Sequence, residues 1–101
     1  MKILPEPIAF EWDKGNLNKN LLKHNVTNQE AEEVFSHEPI IVAEDKKHSI
    51  KEKRFQALGR TNKQRKIFLS FTIRGNKVRI ISIRDMNKKE EMVYEKHQTN
   101  T

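Results

Sequence analysis

The 101-residue chain contains no cysteine. A disulfide framework and thiolate chemistry are thereby excluded, and a cytoplasmic setting is permitted. The chain also lacks any run near the roughly 18 apolar residues of a membrane span, so no membrane partner is expected. Its opening MKILPEPIAFEWD has a short apolar run broken by Pro5 and Pro7, without the continuous apolar segment and cleavage site of a secretory leader. Repeats and low-complexity segments are missing too. The histidines, His24, His37, His48 and His97, show no ligand spacing, so neither a metal nor another cofactor is expected. Acidic residues are outnumbered by basic ones, 14 to 20, for a net charge of +6. Such a balance suits a polyanionic partner, either nucleic acid or an acidic protein.

What is present is enough for one small core. Hydrophobic residues make up 35% and charged residues 34%, and the apolar ones fall in periodic segments. A single domain over 1–101 is expected, with 1–7 a loose lead-in and 98–101 a frayed tail. Ile8 to Trp12 alternates as a short strand. Asp13 can cap a helix from Lys14 to Lys23 or His24, striped by Leu17, Leu21 and Leu22, and Asn25 suits its left-handed stop. Thr27 and Glu30 form a capping box that opens a second helix to about Phe35, with Ala31, Val34 and Phe35 buried. Strands follow at Ile40–Glu44 and Arg54–Arg60, separated by the polar, mobile loop Asp45–Lys53. Further strands cover Lys66–Arg74 and Lys77–Arg84, joined by a two-residue turn at Gly75-Asn76. Asn87 can cap a last helix from Lys88 to about His97, with Glu90, Val93, Tyr94 and His97 as its inward stripe. The order β-α-α-β-β-β-β-α predicts an α+β domain, an antiparallel sheet with helices packed on one face.

The segment RIISIRD, Arg79–Asp85, puts two arginines into an apolar strand. An unpaired buried guanidinium costs several kcal/mol, roughly, so each needs a partner or water. Continuous pairing out from the turn sets Ile73, Phe71, Leu69 and Ile67 against Val78, Ile80, Ser82 and Arg84 on the covered face. The open face then carries Phe68, Ser70, Thr72, Arg79, Ile81 and Ile83. Arg84 is placed beside the last helix, where Glu90 offers an ion pair. Arg79 is either a solvated strand residue or a phosphate contact. Arg60, Arg65, Lys66, Arg74 and Lys77, on neighbouring strands and hairpin ends, favour the phosphate surface.

FEWDKGNLNKNLLKHNV, EAEEVF, EDKKHSIKEKRFQALGR and VRIISIRDMNKKEEMVYE, in that order over residues 10–95, closely resemble the BrnT toxin family. The resemblance implies a RelE-like fold and a sequence-tolerant ribonuclease acting on RNA. It also implies neutralisation by a BrnA-like ribbon-helix-helix antitoxin and, through that antitoxin, binding to operator DNA. The chain departs from the family pattern at Asn25, where glycine is usual, and at Glu91, where arginine is usual.

RNA cleavage without metal needs a base for the 2′-hydroxyl, positive charge on the pentavalent phosphate and an acid for the leaving oxygen. RelE-like toxins draw largely on Arg, Lys and Tyr. The resemblance therefore implies Arg60, Arg79 and Arg84 as phosphate ligands, with Lys23 or His24 assisting proton transfer and Tyr94 a further candidate. Arg65, Lys66, Arg74, Lys77 and His48 are candidate RNA contacts. Bland readings stand beside these: Tyr94 as core with a tethered hydroxyl, His24 as a helical-stripe residue, His48 as a solvated loop residue. A non-catalytic RNA- or partner-binding module is the competing function, favoured by the missing consensus base.

Overall fold

The structure, a computed structural model, describes residue 4 and residues 8–12 and 24–99. The expected helix from Lys14 and the candidate Lys23 lie outside the described residues. Five strands form one sheet: β1 (Phe10–Glu11), β2 (Ile41–Glu44), β3 (Arg54–Arg60), β4 (Lys66–Arg74) and β5 (Lys77–Asp85), in the spatial order β1-β5-β4-β3-β2. Two described helices, α1 (Asn28–Val34) and α2 (Lys88–Thr99), complete the α+β domain.

The sheet is mixed, which corrects the all-antiparallel expectation. β1 runs parallel to β5, with Phe10 opposite Val78 and Glu11 opposite Arg79. β1 and β5 are far apart in the sequence, and a long connection leaves the direction of β1 free. The other neighbours are antiparallel. Gly75 and Asn76 have φ of 52° and 67°, the pair of left-handed residues that a tight hairpin demands. Asn25, with φ of 55°, is left-handed as its place after a helix predicted.

The second correction is a β-bulge. Pairing from the turn is regular through Phe71–Ile80, but Ser70 then meets Ser82, leaving Ile81 as an extra residue. Beyond it every side chain of β5 changes face. Ile83, opposite Leu69, is fully buried, while Arg84, opposite Phe68, stands on the open face. Thus Arg84 is not on the covered face, and Ile83 is not on the open one.

The covered face joins Phe55, Ala57, Ile67, Leu69, Phe71, Val78, Ile80 and Ile83 to Val26, Ala31, Val34 and Phe35. Phe71 stacks on Phe55 and meets the edge of Phe35, with centroids 5.4 and 5.5 Å away. The α1 capping box forms as the sequence predicts: Thr27 Oγ1 accepts from the Glu30 amide, and the Thr27 amide donates to Glu30 Oε1. α1 lies so close to β3 that a Cβ on Gly59 would stand 2.4 Å from Val34 Cγ1. Gly59→Ala is expected to cost about 1–3 kcal/mol through overpacking, measured as a lowered midpoint in urea with an unchanged slope.

α2 makes ion pairs with cations of the open face. Its Glu90 binds Arg84 and its Glu95 binds Lys66, both open-face residues. The bulge puts Arg84 on this face, where Glu90 meets it. The inward stripe is also narrower than predicted. Tyr94 is fully buried and Glu90 half-buried, but Val93 and His97 are exposed. α2 also continues beyond His97 to Thr99.

Candidate functional site

The open face consists of cross-strand rows. Arg54, Thr72, Arg79 and Glu11 make one row; Gln56, Ser70 and Ser82 the next; Leu58, Phe68 and Arg84 a third; Arg60 and Lys66 the last. Thr72 and Phe68 are four residues apart on β4, about 13 Å at strand rise. The candidates Arg79 and Arg84 therefore serve opposite ends of the face.

At the α2 end the cations are already engaged. Arg84 donates through Nη1 and Nη2 to Glu90 Oε1 and Oε2 at 2.8 and 2.9 Å. Its guanidinium carbon also lies 4.0 Å from the centroid of the Phe68 ring. The hydrogen bonds from Arg84 hold the Glu90 carboxyl below its usual value. Arg60 donates to Gln64 Oε1 and to the Glu38 carbonyl, each at 2.8 Å, while its buried Nε has no hydrogen-bond partner among the described residues. The Tyr94 hydroxyl donates to the Pro39 carbonyl at 2.7 Å, and burial pushes its pKa up. This is the tethered-core reading of Tyr94. Lys66 is paired with Glu95.

Arg65 forms a clasp rather than an open phosphate contact. Nε and Nη2 donate to the two Asp85 oxygens at 2.6 and 3.0 Å. Nη1 reaches the Asn25 carbonyl at 2.8 Å and Glu30 at 3.3 Å, and Nη2 the His24 carbonyl at 3.1 Å. One side chain thus ties β5 to the residues entering α1. His24 stands near this clasp, where its charge helps to lower the Asp85 pKa, and so lies away from the Arg54–Arg79 row.

At the other end of the face is an open groove of about 570 Å³, lined by Lys47, His48, Ile50, Lys51, Glu52, Arg54 and Arg74. Arg74 donates to Glu52 at 3.2 Å. Lys77, across the hairpin turn from Arg74, is exposed. The segment expected as a mobile loop contains a single 3-10 turn, Lys46–His48, with defined anchors. The Asp45 amide donates to the Arg54 carbonyl at 2.7 Å. Ser49 Oγ donates to the Asp45 carbonyl at 2.7 Å and accepts from the Arg54 amide at 3.0 Å. Asp45 Oδ2 lies 2.8 Å from His48 Nδ1 and accepts from Gln56 Nε2 at 3.2 Å.

The structure therefore separates the candidates. Arg60, Arg84, Lys66 and Tyr94 gather at the α2 end, Arg65 and His24 at the clasp, and Arg74 and His48 in the groove. Arg79 shares its row with groove residue Arg54. Sequence reading missed Asp45 and Arg54. The signal was there in Asp45-Lys46-Lys47-His48, where three-residue spacing lets one tight turn bring carboxylate and imidazole together. Among the described residues no three His, Asp or Glu side chains group as metal ligands.

No curated protein matches the chain. The family model for the ribonuclease toxin BrnT of type II toxin–antitoxin systems matches residues 12–90, well over half of its length. Strands β2 to β5, the groove and the clasp all fall within that match, and the chain belongs to the BrnT family of ribonuclease toxins.

Proposed function

We propose that the chain is a metal-independent endoribonuclease of RelE-like fold, acting in the bacterial cytoplasm to cleave RNA and so arrest translation and growth. A co-encoded BrnA-like antitoxin with a ribbon-helix-helix domain holds it in check and takes the pair to operator DNA. The observation that carries this reading is the cross-strand row of Arg54 and Arg79, which continues into the cationic groove. Two guanidinium groups in one row of the sheet, on β3 and β5 with Thr72 between them, suit a phosphodiester whose charge grows as phosphorus becomes pentavalent. In this reading Arg79 meets the phosphate and Arg74 and Lys77 hold flanking nucleotides. Arg60, Arg84 and Tyr94 act from the α2 end by keeping that helix and the Pro39 segment in place.

The second reading, a binding module without cleavage, is favoured by one observation: Arg60, Arg65 and Arg84 are engaged by protein acceptors. The test is incubation of the purified chain with a single-stranded RNA in the presence of a chelator. Cleavage is expected, with Arg79→Ala slower by about 10²–10³. Retention of intact RNA by a folded chain that still binds it would favour the module instead.

A further inference from the structure

We propose that His48, oriented by Asp45, is the general base of the groove, withdrawing the proton from the RNA 2′-hydroxyl. The proposal rests on the ribonuclease reading and supplies the base that reading lacks.

Asp45 is sheltered and His48 is presented: their side chains are 13% and 56% exposed. A carboxylate only accepts hydrogen bonds, so the 2.8 Å contact to Oδ2 requires the proton on Nδ1. Neutral His48 then carries its lone pair on Nε2, as a base needs. Shelter from water raises the Asp45 pKa, but the interactions with His48 and Gln56 outweigh it and hold the carboxyl below its ordinary value. Asp45 is thus a positioning residue, fixing tautomer and ring together.

The turn is also tied to the charge that the reaction needs. Asp45 and Ser49 both bond to the backbone of Arg54, whose side chain lines the same groove as His48. Imidazole and guanidinium are therefore anchored to one short piece of β3 and move together. Lys47, Lys51 and Arg74 line the rest of the groove against a single carboxylate, Glu52, itself held by Arg74. A solvated histidine would not need a sheltered carboxylate that is shared with a sheet residue and set beside four cations.

The step balances without a metal. His48 Nε2 takes the 2′-hydroxyl proton as O2′ attacks phosphorus. The P–O5′ bond breaks, and the leaving oxygen takes a proton from water. A 2′,3′-cyclic phosphate and a 5′-hydroxyl remain, and His48 returns its proton to solvent. Arg54 and Arg79 hold the phosphorane charge between these events.

The probe is a fluorescent single-stranded RNA oligonucleotide, with its all-2′-deoxy counterpart as an uncleavable ligand. His48→Ala should lower kcat by about 10²–10⁴, the usual contribution of an acid–base group. Affinity for the deoxy probe should stay within about twofold, and added imidazole should restore part of the rate. Asp45→Asn should lower kcat less and gain nothing from imidazole, since its histidine is still present. His48→Ala with an unchanged melting temperature and a wild-type rate overturns the proposal. So does a slow His48→Ala that imidazole fails to rescue, which would make His48 a turn-holding residue only. If alanine there leaves the chain unfolded, His48→Gln takes its place, with a wild-type rate again decisive against the proposal. Wild-type protein that leaves the RNA intact overturns the ribonuclease reading and this one together.

Discussion

Truncation of Tyr94 to alanine is expected to destabilise the chain by about 3–4 kcal/mol, near the cost of removing a buried aromatic ring. Melting temperature should fall by about 15–25 °C for a domain of this size. The ring is fully buried, and its hydroxyl ties α2 to the Pro39 carbonyl at 2.7 Å. The two contributions separate in Tyr94→Phe, which keeps the ring and loses only the hydrogen bond, about 1 kcal/mol. That variant also tests the chemical role that the sequence left open. RNA cleavage by Tyr94→Phe should stay close to wild type, because the hydroxyl already donates to the backbone. A large rate loss with little change in melting temperature would instead put Tyr94 on the substrate.

Arg65→Ala is expected to cost about 2 kcal/mol, a smaller loss with a distinctive pH signature. Asp85 is 59% exposed, so its ion pair with Arg65 is screened and contributes at most about 1 kcal/mol. The rest comes from the donors to the His24 and Asn25 carbonyls, which hold the left-handed residue before α1. The sign follows from the carboxylates. Hydrogen bonding to Arg65 lowers the Asp85 pKa from its ordinary 3.8. The Thr27 amide, more than Arg65, lowers that of Glu30 from 4.5. Depressed folded-state values mean stability that is present above pH 4–5, roughly, and lost as pH falls through the folded pKa. The gap between wild type and Arg65→Ala in urea unfolding should be widest near neutrality and narrow on acidification below about pH 4. A gap independent of pH would leave the carbonyl contacts as the whole effect.

These two residues show what the sequence disclosed and where it stopped. Helix caps, strand limits and the hairpin turn depend on neighbouring residues, and Thr27–Glu30, Arg54–Arg60 and Gly75-Asn76 were readable for that reason. The Arg84–Glu90 pair was readable too, because an arginine in an apolar strand and a glutamate on a helical stripe each required a partner. The bulge was harder: Ile80, Ile81 and Ile83 offer apolar side chains to either face. A clue existed in the unbroken register itself, which would have buried Arg84 and exposed Ile83. The Arg65 clasp joins residues 25, 30, 65 and 85, and no local pattern connects them. At the candidate site the charges were legible one by one. Their grouping was not, because it depends on which row of the sheet each strand position occupies. His48 was legible as a candidate RNA contact, but its pairing with Asp45 was hidden by composition, since a polar segment reads as mobile until the hydroxyl of Ser49 is seen to pin it.

The extra residue at Ile81 gives β5 two phases. Odd-numbered Arg79 before it and even-numbered Arg84 after it look the same way. Were Ile81 paired rather than bulged, strict alternation of the same residues would set Arg84 opposite Ile67 on the covered face and turn Ile83 outward. The strand's parity, more than its hydrophobicity, thus decides the face on which Arg84 meets Glu90. Any scheme that carries residues from one relative to another by counting along this strand must count from the turn for Arg79 and from Asn87 for Arg84.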